Sequence, residues 1–175
     1  RDVIARLGMA QGFDVGLEMS GSQAALDQMV EAMVMGGNIA LLGIPHTTLP
    51  ADIDEESVTG TPEDIAAALA EEKAAAVAGR AQTRLLLAAD TVVAVGELAL
   101  GKPASREEAR RMLNALAGGA HQVHTGVCLA DTESGRSRTS VSTTVVHFSP
   151  LSPREIDWYL ETGEWQGVAG GYRIQ

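Results

Sequence analysis

The chain has 175 residues, 45% of them hydrophobic and only 3% aromatic, with a formal net charge of −10. That length suits one domain or one domain with an appendage, and the apolar fraction supports an aliphatic core and excludes global disorder. The charge excludes a nucleic-acid polymer as partner, since no Lys/Arg cluster supplies the basic face that displaces counterions from phosphate. An acidic protein acting on a polyanion would need a metal ion and a few well-placed cations. Cys128 is the single cysteine; no internal disulfide forms, and within Val127-Cys128-Leu129 it reads as core filling. A reducing compartment fits, and a cytoplasmic location is expected. No apolar stretch reaches the roughly 20 residues of a membrane span, no signal-peptide pattern is present, and no membrane partner is expected. Both ends, Arg1 and Gln175, read as cut.

Residues 13–19 form the first strand candidate, bounded by Gly12 and by Ser20-Gly21-Ser22. Ser22 is a good N-cap, and Leu26, Met29, Val30, Met33 and Val34 recur after it at helical spacing. Gly36-Gly37 would end that helix, and residues 38–44 would make a buried strand closed by Pro45. Together they predict a Rossmann-like βαβ unit with parallel strands. Composition changes at Pro50 to the acidic run Asp52-Ile53-Asp54-Glu55-Glu56. Thr61-Pro62-Glu63-Asp64 is a helix start, and the alanine-rich helix runs to about Ala78 and stops at Gly79.

The apolar run Leu85–Val95 carries a single charge, Asp90, and Gly96-Glu97 turns it into a hairpin with Leu98–Leu100. Ser105-Arg106-Glu107-Glu108 reads as a capping box opening a helix whose core face is Ala109, Met112, Leu113 and Leu116. Residues 121–130 and 138–148 read as an antiparallel pair across a turn-rich segment. A further capping box at Ser152 opens a short helix through Leu160, and a glycine-rich tail follows from Thr162. The predicted fold is α/β, a mixed sheet flanked by helices.

Asp90 is the most informative residue. A carboxylate inside Leu87-Ala88-Ala89-Asp90-Thr91-Val92-Val93 is costly to bury unless it is paired, hydrogen-bonded or bound to a metal. A strand-end aspartate bonding to a loop is the alternative. Lys73, next to Glu71 and Glu72, reads at residue level as a surface ion pair. Lys102, between Gly101 and Pro103, is a point charge on a stiff loop and suits phosphate. His121 and His124 are three apart, which on a strand puts them on opposite faces and argues against a shared metal site.

The order of these features is specific. The run D-I-D-E at 52–55, E-K-A at 72–74, A-D-T-V-V at 89–93, G-K-P at 101–103, R-R-M-L-N-A-L at 110–116, H-x-V-H-T-G-V at 121–127 and G-G-Y-R-I-Q at 170–175 together resemble the Maf family of nucleotide pyrophosphatases. The resemblance covers residues 50–175. It implies a Maf/ITPase-like fold and hydrolysis of a nucleoside triphosphate to the monophosphate and pyrophosphate with a divalent cation, Mg or Mn. It further implies Asp90 as general base, Glu55 as metal ligand, and Lys73 and Lys102 as phosphate-binding residues. Thr91 and Gln175 fall where the family distinguishes bases, and both match the branch preferring dTTP and UTP. The family's S-x-S-P-R-R loop is absent ahead of the acidic run. Losing its two arginines predicts a raised KM and a lowered kcat.

Residues 12–21 and 37–45 resemble part of the NAD-binding domain of L-threonine dehydrogenase, but the glycine fingerprint for the cofactor is missing. The expected organisation is therefore a dehydrogenase-like segment at 1–49 with no measurable NAD binding, followed by a Maf-like domain at 50–175. The rival readings are a catalytically impaired hybrid with a structural role, and a remnant of an NAD-dependent threonine dehydrogenase. A homodimer is left open.

Overall fold

The computed structural model describes residues 13–18, 33–41 and 47–173. The chain divides between Thr48 and Leu49 into two compact units. In the first, β1 (Phe13–Glu18) pairs in parallel with β2 (Met33–Leu41). Parallel pairing was the expectation, but the start of the second strand was not. Met33 and Val34 belong to β2, not to the end of a helix, and Gly36-Gly37 lies inside the strand. The reason is visible in the register, which runs Phe13↔Met33 and then Val15↔Asn38. An irregularity of that kind is where glycines enter a strand without ending it. Leu26, Met29 and Val30 lie outside the described residues.

The second unit carries three helices and a four-stranded sheet. Helix α1 (Pro62–Ala78) begins where Thr61 Oγ1 accepts from the Asp64 N–H at 3.2 Å, and it ends at Gly79. Strands β3 (Leu85–Val95) and β4 (Leu98–Leu100) form a tight hairpin through Gly96, whose φ of +60° suits glycine. Helix α2 (Arg106–Leu116) follows, then β5 (Ala120–Asp131), β6 (Arg136–His147) and α3 (Pro153–Thr162). Ser152 and Glu155 make the full reciprocal capping box. At α2 the reach-back is displaced: Glu108 accepts from the Ala104 N–H at 2.8 Å instead of that of Ser105. Ala109, Leu113 and Leu116 are buried on α2, while Met112 is only partly so. No helix among the described residues is long and apolar enough to cross a membrane.

The sheet order is β4-β3-β5-β6, and every described pairing in it is antiparallel. A mixed sheet was expected; the described pairings of the second unit are all antiparallel, and the parallel pair described is β1 with β2 of the first unit. Short turns between β3 and β4 and between β5 and β6 force the antiparallel sense.

Cross-strand partners share a face, so Asp90 with Gly126 and Val92 with His124 point to one side of the sheet. Helix α1 covers that side with Ala66, Leu69, Ala70, Ala74 and Val77. It lies so close that a methyl group on Gly126 would sit 2.1 Å from the Ala66 carbonyl oxygen. The opposite side, which carries Thr91 and Thr125, is buried at Val93 and Val123, where Gly170 lies against Val93. Cys128 is buried in the aliphatic cluster under α1.

Candidate active site

Helix geometry places Lys73 on the sheet-facing side of α1. It stands seven residues after Ala66 and three after Ala70, both fully buried, and such spacing keeps side chains on one stripe. Across the gap, β3 presents Asp90 from the same side of the sheet. Lys73 Nζ bonds Asp90 Oδ1 and also Glu55 Oε1, the latter at 2.9 Å. Glu55 belongs to a short 3-10 turn, Glu55–Ser57, capped by Asp54. Its second oxygen, Oε2, accepts from Lys102 Nζ at 2.5 Å. The result is an alternating chain of charge, Asp90–Lys73–Glu55–Lys102. Side-chain exposure rises along it from 12% at Asp90 and 20% at Lys73 to 52% at Lys102, so the chain leads from the protein interior to solvent.

The charges fix one another's ionisation. Hydrogen bonds from Lys102 and then Lys73 hold the Glu55 carboxyl below its usual range. Desolvation works against a charged Lys73, but its bonds to Asp90 and Glu55 outweigh that and push its pKa up. Glu55 therefore stays anionic and Lys73 cationic around neutrality. Lys73 does not pair with Glu71 or Glu72, which its sequence neighbourhood suggested.

The donor set suits a hard divalent cation. Two carboxylates meet at one ammonium, and magnesium is usually held by one or two carboxylates together with substrate phosphates and water. Among the described residues, no group of three or more His, Cys, Asp or Glu gathers to form an all-protein cage.

Thr91 is not part of the charge chain. Its side chain is on the other face of the sheet, with Oγ1 3.0 Å from Thr125 Oγ1 at the surface. Gln175 lies outside the described residues. A hollow of about 290 Å³, lined by residues including Thr61, Glu97, Gln122 and His124, opens elsewhere, and none of the four charged residues lines it.

Two associations went unread in the sequence. One is the Thr91–Thr125 pair, which the alternation of two adjacent strands could have revealed. The other joins His121 Nε2 to the Tyr172 hydroxyl at 2.6 Å, across 51 residues. His121 and His124 do lie on opposite faces, and His124 Nδ1 bonds Thr143 Oγ1. His121 Nδ1 is buried without a partner, and burial pushes the His121 pKa down.

That shift has a consequence for stability. The unfolded chain takes up the proton near the ordinary histidine value of about 6.5, whereas the folded chain resists it to lower pH. Stability therefore falls as pH drops below about 6.5, by up to about 1.4 kcal/mol per pH unit for one proton, until the folded pKa is reached. Urea midpoints measured between pH 7 and 5 should lose part of this slope in His121→Gln. An unchanged slope would assign the pH dependence to other groups.

The family model described as Maf-like protein matches residues 39–175. The dTTP/UTP pyrophosphatase of an Anaeromyxobacter species is 46% identical over 138 residues, covering 77% of this chain and 65% of that protein. The proteins of the same name from Syntrophomonas wolfei and Sphingopyxis alaskensis are 42% and 44% identical, over 77% and 78% of this chain and 71% and 72% of theirs. The matched part thus spans about two thirds of the length of these relatives. The chain belongs to the Maf family. The match begins at Ile39, inside β2 and ahead of Pro50.

Proposed function

We infer that this chain hydrolyses nucleoside triphosphates, dTTP and UTP in preference to purine nucleotides, releasing the monophosphate and pyrophosphate. The observation that carries this reading is the charge chain Asp90–Lys73–Glu55–Lys102. Attack on the α-phosphorus needs a proton acceptor and cations on the phosphates, and these residues offer both. Lys73 engages Oδ1 of Asp90, which leaves Oδ2 to take a proton from water. Lys73 and Lys102, now paired with Glu55, exchange that carboxylate for phosphate oxygens as the substrate enters. A divalent cation, magnesium or manganese, held by Glu55 with Asp90 beside it would neutralise phosphate charge and draw the anionic groups together.

Base preference is assigned to Thr91 and Gln175. Support for the preference comes from the names of the relatives; Thr91 Oγ1 itself lies beside Thr125 on the sheet face opposite the charge chain. Comparing kcat/KM for UTP and GTP tests it: a preference for UTP of about tenfold or more is expected, and a preference for GTP would sink the assignment.

In the same proposal, residues 1–49 form a dehydrogenase-like segment and the Maf-like domain follows it. Support for that segment is the sequence of residues 12–21 and 37–45 alone; the family match, which starts at Ile39, takes in the last part of that segment.

A further inference from the structure

Lys102 is the most exposed member of the charge chain, and the loop that carries it includes a glycine. Contacts that hold the loop would spare Lys102 ordering entropy on meeting phosphate. The structure contains such a brace about 70 residues further along the chain, in residues 168–173. The Gly170 N–H donates to the Gly101 carbonyl at 3.0 Å, one residue before Lys102. Gly171 lies against the residue on the other side of Lys102: a methyl group there would sit 3.3 Å from Pro103 Cγ and 3.6 Å from Ala109. Both glycines have φ near +70°, a conformation in which the turn can approach this closely.

Tyr172 locks the turn in place. Its hydroxyl bonds His121 Nε2 at 2.6 Å, and its ring meets Phe148 edge-on at a centroid distance of 5.0 Å. The Arg173 N–H donates to the Tyr159 hydroxyl at 3.0 Å, which fastens the far side. Burial keeps the Tyr172 hydroxyl protonated, with its pKa pushed up to about 12, so the bond to neutral His121 persists across the physiological range.

We propose that Tyr172, anchored on His121, is a positioning residue for Lys102: it clamps the turn at 168–173 onto the loop at 101–103 and sets the lysine for phosphate. The proposal rests on the phosphate-binding role given to Lys102 above. Tyr172→Phe keeps the ring and removes the bond to His121, leaving His121 Nε2 without that partner; a urea midpoint establishes that the variant is folded before either readout is taken.

Two readouts test the proposal and separate its failure from failure of that role. The first is amide exchange at Gly170 without nucleotide, expected to speed up about tenfold in Tyr172→Phe while α1 amides stay unchanged. The second is a double-mutant cycle with Lys102→Ala, read in KM for UTP. Tyr172→Phe should raise KM about fivefold in the parent and leave it unchanged in the Lys102→Ala background. Unchanged Gly170 exchange would overturn the clamp, and equal KM effects in both backgrounds would show a packing role and overturn the positioning claim. If Lys102→Ala itself leaves KM unaltered, the phosphate role of Lys102 falls. The clamp then stands or falls on exchange alone.

Discussion

Asp90→Asn is expected to lower kcat for UTP by about 100-fold or more while the protein stays folded. The side chains have nearly the same shape, and an amide oxygen can still accept from Lys73 Nζ, so the contact between α1 and β3 survives. The proton acceptor does not. An amide cannot take a proton from water at neutral pH, and the loss of a positioned base typically costs two to four orders of magnitude. Urea midpoints and far-UV circular dichroism would establish that the variant is folded, and steady-state kinetics would give the loss. Near-normal turnover in a folded Asp90→Asn variant would remove Asp90 from the role of base.

Gly126→Ala is expected to damage both stability and activity, although the residue carries no chemistry. The added methyl would meet three backbone atoms of α1: the Ala66 oxygen at 2.1 Å, the Ala66 carbonyl carbon at 2.5 Å and the Ala67 nitrogen at 3.0 Å. Backbone cannot rotate aside as a side chain can, so the helix must lift. Overpacking that side chains relieve costs roughly 1–3 kcal/mol, and this contact should lie at or above the top of that range. Lifting the helix also draws Lys73 away from Asp90, because Lys73 is two turns along the same stripe. A urea midpoint close to the parent's, with full activity, would show that α1 has room the structure does not indicate.

Much of the second unit was legible because its signals are local. Thr61, Ser105 and Ser152 announce their helices through caps that bond within four residues, and Gly96-Glu97 marks its hairpin in the same way. Asp90 stood out as one charge in an apolar strand. What sequence could not give was the partner of each charge. Lys73 has two glutamates beside it in the chain, yet it bonds a carboxylate 17 residues away because its helix face is turned to the sheet. The stripe Ala66, Ala70, Lys73, Val77 held that information, since a lysine within it must reach toward the sheet. The start of β2 was misread for a different reason. Met33 and Val34 fit a helical stripe and an apolar strand equally well, and Gly36-Gly37 signals a helix stop but also tolerates a strand irregularity. The Tyr172–His121 bond was out of reach, as nothing in either neighbourhood points 51 residues away.

The charge chain built on Asp90 is expected to direct water to the α-phosphorus of a nucleoside triphosphate. Incubating the full chain with UTP and Mg²⁺ or Mn²⁺ in ¹⁸O-labelled water, then locating the label by mass spectrometry, tests it most directly. UMP carrying one ¹⁸O and unlabelled pyrophosphate are expected, formed faster than by the Asp90→Asn variant. UDP with labelled inorganic phosphate, label in the pyrophosphate, or release no faster than in that variant would contradict it.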